Sequence, residues 1–293
     1  MSKKLKGTFT ALVTPFRGEE VDYSSIQKLV TQQLEGGVDG FVINGTTGES
    51  PTLSKEEVQK VFSFVKNMAP QATLILGTGS NDTQETFEYT QLAKKMGADA
   101  ALVVVPYYNK PPQRGLVAHF KKAADAELPV ILYNVPGRTI TSLSPESVGE
   151  LSRHPYIVGI KEATGNIELL KEMKKQVSDE FIFLSGDDGT YIDFLNNGGH
   201  GVISVATHVI PRQMVDWKKW VEAGMAENAR EDFKKYKTLI DMLFCEANPI
   251  PVKMALHKMG ILESPSLRLP LVTLGEALTN ELIQELKKVG AIK

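Results

Sequence analysis

The sequence predicts an α/β fold: a (β/α)8 (TIM) barrel followed by a C-terminal extension of three helices. Three observations predict it. Eight short apolar or β-branched runs recur at an even beat. Segments with helical periodicity and helix-start chemistry lie between them. The unusual residues fall just after the runs, where a parallel barrel carries its chemistry, and not before them.

The runs are TFTALVT (8–14), GFVIN (40–44), TLILG (73–77), AALVVV (100–105), PVILYN (129–134), IVGIK (157–161), FIFLS (181–185) and GVISV (201–205). They are continuous rather than alternating, as expected of strands buried on both faces of a parallel sheet. Helix starts punctuate the intervals. Ser54 with Glu57 fits a capping box, and Asp82 with Glu85 has the same spacing. Ser144 followed by Pro145 reads as a cap with proline at the first helical position. Pro211 opens a helical segment that Gly224 can close. Residues 226–293 hold no strand run and read as helices over about 227–244, 250–259 and 274–289. The expected division is therefore a catalytic barrel over 1–225 and a helical extension over 226–293. The extension suits either barrel covering or an oligomer contact.

The chain has 293 residues, with 33 basic and 35 acidic side chains and a formal net charge of −2. No run of one sign appears, which argues against nucleic acid or an anionic membrane surface as partner. No apolar run is long enough to span a bilayer, and the lysine-bearing N-terminus does not read as a signal peptide. A single cysteine, Cys245, excludes an internal disulfide framework and fits a reducing cytoplasm. Histidines 119, 154, 200, 208 and 257 show no metal-ligand spacing. No metal or cofactor is expected.

The loops after the strands carry GTTGES (45–50), GTGSN (77–81), PYYNKP (106–111), YNVPGRT (133–139), SGDD (185–188) and ATH (206–208), and the sixth strand ends on Lys161. This asymmetry points to an enzyme. A lysine at a barrel mouth can snorkel to water or pair with Glu162. Held among apolar residues, its ammonium form is disfavoured, and a neutral amine forms a Schiff base with a carbonyl. The iminium then acidifies the adjacent carbon, so carbon–carbon bonds can be made without metal. Tyr133, ending the neighbouring strand, is a candidate proton shuttle, and Tyr108 is a second. The GTTGES loop offers hydroxyls and backbone amides ahead of a helix, which suits a carboxylate or phosphate. Its spacing fits neither a P-loop nor a dinucleotide fingerprint. Arg138 can bind a carboxylate bidentately. Asp187 and Asp188 read as helix-start residues rather than metal ligands.

Taken together, ALVTPF, GTTGES, GTGSN, PYYNKP, YNVPGR, IVGIKEATG, SGDD and the helical tail resemble the dihydrodipicolinate synthase / N-acetylneuraminate lyase family of Schiff-base aldolases, over the whole chain. The resemblance implies a pyruvate Schiff base on Lys161. It implies a relay of Tyr133, Thr46 and Tyr108, with Tyr108 reaching in from a neighbouring subunit. It implies Thr47 on the pyruvate carboxylate, Arg138 on the carboxylate of a second substrate, and backbone carbonyls of Gly186 and Ile203 lining the site. The double threonine and Arg138 favour the branch that condenses pyruvate with L-aspartate 4-semialdehyde toward diaminopimelate and lysine. The alternative is a sialate lyase or a 2-keto-3-deoxy sugar acid aldolase, whose acceptor gives a guanidinium nothing to pair with.

Family members inhibited by lysine bind it at a subunit interface. Ser50, Asn81, Glu85 and Tyr107 match that site, but Lys55 and Val58 replace its histidines. A cationic Lys55 repels a cationic ligand, so inhibition by lysine is expected to be weak or absent. The resemblance also implies a homotetramer built as a dimer of dimers.

Overall fold

A computed structural model of the chain describes residues 2–293, with side chains described from Lys4 onward. Eight strands run Thr8–Ala11 (β1), Gly40–Ile43 (β2), Thr73–Gly77 (β3), Ala100–Val104 (β4), Val130–Asn134 (β5), Ile157–Glu162 (β6), Ile182–Ser185 (β7) and Gly201–Ser204 (β8). They close into a barrel in the order β1-β8-β7-β6-β5-β4-β3-β2. The predicted fold class and all eight strands are present. Val, Ile, Leu and Phe fill the strands, and nearly every strand residue is buried.

The largest boundary difference is at β1, which leaves the ladder before the end of its apolar run. Side chains take over the backbone there. Val13 N donates to His208 Nε2 at 3.2 Å, and the Thr14 hydroxyl donates to Gly48 O at 2.7 Å. His208 is fully buried, and desolvation pushes its pKa down to about 4. The neutral ring is therefore a structural acceptor. A small antiparallel pair, Phe16–Arg17 with Glu20–Val21, was not expected from the sequence.

The chain divides into two compact units. One comprises the residues up to Gly7 with Thr73–Ile203; the other comprises Thr8–Ala72 with Ser204–Lys293. In the first, one irregularity decides which side chains meet. Val130 pairs with Ile157, but Ile131 pairs with Gly159, so β6 carries one extra residue at the bulge. The extra residue advances β6 by one position, which flips the face that every later residue presents. Tyr133 consequently pairs with Lys161, and Asn134 with Glu162. Gly159 is required just past the bulge: a Cβ there would lie 2.5 Å from Ile182 O.

In the second unit the expected long helix over 227–244 is two helices, Ala226–Phe233 and Lys237–Met242. Between them the backbone tightens to i−3 hydrogen bonds, Lys235 N to Asp232 O and Tyr236 N to Phe233 O. That turn lets Phe233 and Tyr236 both meet Trp217, at ring distances of 5.3 and 5.7 Å. The helices Ile250–Lys258 and Glu276–Lys288 follow as expected. Among the described residues no helix is long and apolar enough to cross a membrane.

Candidate active site

The first unit holds the strand-borne candidates. Lys161 and Tyr133 are paired positions on adjacent parallel strands, and both are 7% exposed. Lys161 Nζ lies 4.2 Å from the centroid of the Tyr133 ring. The bulge in β6 makes this meeting, because paired residues on neighbouring strands share a face. Gly186 closes the other side: a Cβ there would sit 2.8 Å from Lys161 Cε and 2.6 Å from Ala163 Cβ. Ile203, near the end of β8, is buried.

Glu162 does not pair with Lys161. It takes the opposite face of β6, buried, where it accepts from Asn134 Nδ2 at 2.7 Å and from Thr164 N at 2.6 Å. Desolvation raises its pKa despite those bonds. Asn134 Oδ1 in turn accepts from Leu143 N at 3.0 Å and from the Ser142 hydroxyl at 3.2 Å. A buried polar chain therefore runs from the residue after Lys161 to the segment following Arg138. Arg138 itself is exposed on the short helix Pro136–Thr139, within a segment the sequence placed in a loop. That helix ends at Ile140, which has φ +62° and is 72% exposed. Tyr108 also has a positive φ, +75°, and is 90% exposed. Asp187 Oδ1 accepts from Thr190 N and from the Thr190 hydroxyl, both at 2.8 Å, but the cap expected from the sequence is not made: Thr190 is the N-cap of the helix Tyr191–Asn196, without a side-chain capping bond.

The second unit holds the loop-borne candidates. Thr46–Gly48 and Ser50–Thr52 form two 3-10 turns, separated by Glu49 in the left-handed region at φ +59°. Thr47 is buried and Thr46 partly so. Three residues from the C-terminal segment grip this loop. Asn248 Nδ2 donates to Thr47 Oγ1 at 2.8 Å. Lys253, with no exposed side-chain surface, donates to Glu49 Oε1 at 2.6 Å and to Thr14 O at 2.8 Å. Its Nζ also lies 4.3 Å from the Phe16 ring centroid. Burial lowers the Lys253 pKa to about 8 even with Glu49 beside it. Arg268 donates from its backbone to Glu49 Oε2 at 3.0 Å, and from its guanidinium to Thr52 O at 2.7 Å and to both oxygens of Glu57. The Arg268 hydrogen bonds hold the Glu57 pKa down at about 2. Glu57 also completes the predicted capping box with Ser54.

The residues matched to a lysine site are divided. Ser50 is half-buried and Lys55 exposed in the second unit. In the first, Asn81 O accepts from Asn109 Nδ2 at 2.8 Å, the Glu85 carboxylate accepts from the Ser80 hydroxyl at 2.8 Å, and Tyr107 is 40% exposed.

Asn248, Glu49, Lys253 and Arg268 were not singled out from the sequence. One signal was there: Lys253 interrupts an otherwise apolar IPVKMAL, a position where a lysine needs a buried partner.

The Dihydrodipicolinate synthetase family model matches residues 4–289. A 4-hydroxy-tetrahydrodipicolinate synthase from Bdellovibrio bacteriovorus is 60% identical, over 99% of this chain and 100% of its own length. The crystal structure of dihydrodipicolinate synthase from Aquifex aeolicus superposes with a TM-score of 0.95 at 42% identity, covering 98% of each chain. That of the chloride-inhibited enzyme from Acinetobacter baumannii, complexed with pyruvate, does so at 0.93 and 42% identity, covering 98% of this chain and 99% of its own. The chain belongs to the dihydrodipicolinate synthetase family.

Proposed function

We propose that this enzyme condenses pyruvate, held as a Schiff base on Lys161, with L-aspartate 4-semialdehyde to give 4-hydroxy-tetrahydrodipicolinate. The observation that carries the reading is Lys161: a buried amine at the C-terminal end of a barrel strand, facing the Tyr133 ring at 4.2 Å. The relative of known structure that holds pyruvate supports the keto acid, and the name of the 60% identical relative supports the product.

The Lys161 amine attacks the pyruvate ketone carbon, and the carbinolamine loses water to an iminium. Loss of a methyl proton gives an enamine, whose carbon attacks the semialdehyde's aldehyde carbon. The amine of the new adduct then displaces Lys161 and closes the ring. Each stage moves a proton, and Tyr133 with Thr46 and Tyr108 supplies the hydroxyls. Thr47 binds the pyruvate carboxylate, and Gly186 and Ile203 line the site through their carbonyls. Arg138, on an exposed short helix, binds the carboxylate of the incoming semialdehyde. That carboxylate is what separates this reading from a sugar-acid aldolase.

In the same reading residues 1–225 are the catalytic barrel and 226–293 its helical extension, and the enzyme works in the cytoplasm as a homotetramer. Tyr108 and Ile140 support a contact between copies: both are exposed, apolar and at positive φ, a conformation that a partner surface would help hold. An obligate monomer that kept its full rate would remove Tyr108 from the relay. Lys55, exposed and cationic, makes inhibition by lysine weak or absent. Half-inhibition at low millimolar lysine would contradict that.

The deciding assay is pyruvate consumption with L-aspartate 4-semialdehyde, run beside N-acetylmannosamine, with Lys161→Ala as the blank. Turnover with the semialdehyde alone, and a borohydride-trapped pyruvate adduct absent from Lys161→Ala, is the expected outcome. Turnover with the sugar alone would move the chain to the lyase branch. An undiminished rate in Lys161→Ala would end the Schiff-base mechanism.

A further inference from the structure

A threonine hydroxyl can accept one hydrogen bond and donate another, and its rotor decides which partner gets the proton. A carboxylate can only accept. For Thr47 to hold a carboxylate through its side chain, the hydroxyl must therefore point its hydrogen at the ligand. Left alone, a buried threonine hydroxyl can spend that hydrogen on any nearby carbonyl.

The structure limits that rotor. Asn248 is buried, and its amide nitrogen, a donor with no acceptor capacity, stands 2.8 Å from Thr47 Oγ1. The hydroxyl oxygen is occupied as an acceptor, so its own hydrogen is left to be donated elsewhere. The segment that carries Asn248 is also anchored. It stands at the start of the helix Ile250–Lys258, and five residues on, Lys253 is locked to Glu49 and Thr14 O. Two residues of one tail segment thus meet two residues of one loop, Asn248 on Thr47 and Lys253 on Glu49.

We propose that Asn248 is a positioning residue that fixes Thr47 as an obligate hydrogen-bond donor toward the substrate carboxylate. The proposal rests on the reading of Thr47 as the pyruvate-carboxylate ligand. It assigns the C-terminal segment a part in pyruvate recognition, exercised through the polarity of one hydroxyl. Asn248 need not touch substrate.

The test is the pyruvate concentration that half-saturates borohydride-trapped adduct on the full-length enzyme. It is measured for Thr47→Val, Asn248→Asp, Asn248→Ala and the double variant Thr47→Val/Asn248→Ala, with thermal unfolding as the check on folding. Asn248→Asp turns the donor into an acceptor: it captures the Thr47 hydrogen and sets a negative charge near the ligand's own. It should raise half-saturation about 10-fold or more, with kcat at saturating pyruvate much less affected. Asn248→Ala frees the rotor and should raise half-saturation about 3-fold. In the Thr47→Val background Asn248→Ala should add nothing, because there is no hydroxyl left to orient.

A merely structural Asn248 predicts the reverse: fewer active molecules, unchanged half-saturation, and an undiminished effect in the Thr47→Val background. That result overturns the proposal, as does an Asn248→Asp enzyme with wild-type half-saturation. If Asn248→Asp does not fold, the Ala variant and its double decide alone. If Thr47→Val itself leaves half-saturation unchanged, the role of Thr47 fails first, and the Asn248 variants then carry no meaning for pyruvate. The two failures are therefore distinct.

Discussion

Lys161 and Lys253 are both buried lysines, 7% and 0% exposed, and their surroundings differ in kind. Lys253 has its protons committed, to the Glu49 carboxylate and the Thr14 carbonyl. Lys161 faces an aromatic ring, and the carboxylate next to it in sequence is turned to the other face of the strand and satisfied by Asn134 and Thr164. A buried lysine clamped by a carboxylate is a structural cation, expensive to bury and worse to break. Lys161 has no such clamp, and this is the difference on which its proposed role as the Schiff-base lysine rests. The difference lies in which face of a strand the nearest acid occupies: strand alternation puts Glu162 on the face opposite Lys161, and the bulge in β6 sets which strand residue Lys161 meets.

Removing the clamp should have the largest effect. Lys253→Met leaves Glu49 buried without its cation and should cost about 3–5 kcal/mol of stability, read from urea unfolding. Adduct formed on Lys161 at saturating pyruvate should be unchanged per folded molecule. A loss under about 1 kcal/mol would mean that the pair does not hold the loop. Gly186→Ala attacks the other lysine. Its Cβ would overlap Lys161 Cε, so kcat should fall about 100-fold while the unfolding midpoint moves little more than for an ordinary overpacked site. An Ala variant with a normal rate would show that Lys161 has room the geometry denies it.

Glu162 gives a smaller effect with a definite sign. Its folded pKa is raised, so the folded state holds its proton more tightly than the unfolded chain. Stability should therefore fall as pH rises from the unfolded value of 4.5 through the raised one. Glu162→Gln should remove that component from a pH series of unfolding free energies; an unchanged slope would contradict it. Glu57 gives an effect of the opposite sign. Its folded pKa is about 2 against 4.5 unfolded, so its contribution is complete above 4.5 and is lost as pH falls toward 2. Glu57→Gln should be less stable than the parent at neutral pH and converge with it in acid.

What the sequence disclosed follows the same divide. The strands, Lys161, Tyr133 and the cap at Ser54 rest on local pattern: apolar runs, position at a run's end, a three-residue spacing. Local pattern survives folding: all eight strands form, β1 shorter than its run, Tyr133 and Lys161 lie one residue inside the ends of β5 and β6, and Ser54 caps its helix. The grip on the GTTGES loop rests on pairings across 201 to 219 residues of chain, Asn248 with Thr47, Lys253 with Glu49, Arg268 with Glu49. No periodicity encodes such a pairing, and an asparagine before proline reads as a turn. The break at Lys234–Tyr236 was hidden for a related reason: helical spacing on both sides is intact, and the contacts that Phe233 and Tyr236 make there are with Trp217, elsewhere in sequence.

The order in which the chain is made gives the tail grip one more consequence. Glu49 is synthesised 204 residues before Lys253, and its Arg268 contact is further away still. At about 5–20 residues per second, the loop bearing Thr46 and Thr47 exists for roughly 10–40 s before its restraints emerge. During that interval the Glu49 carboxylate is without the cation that its burial requires. The strand-borne lysine needs no such wait beyond its own neighbours. In a nascent chain the loop that bears Thr46 and Thr47 is therefore completed later than the strand that bears Lys161.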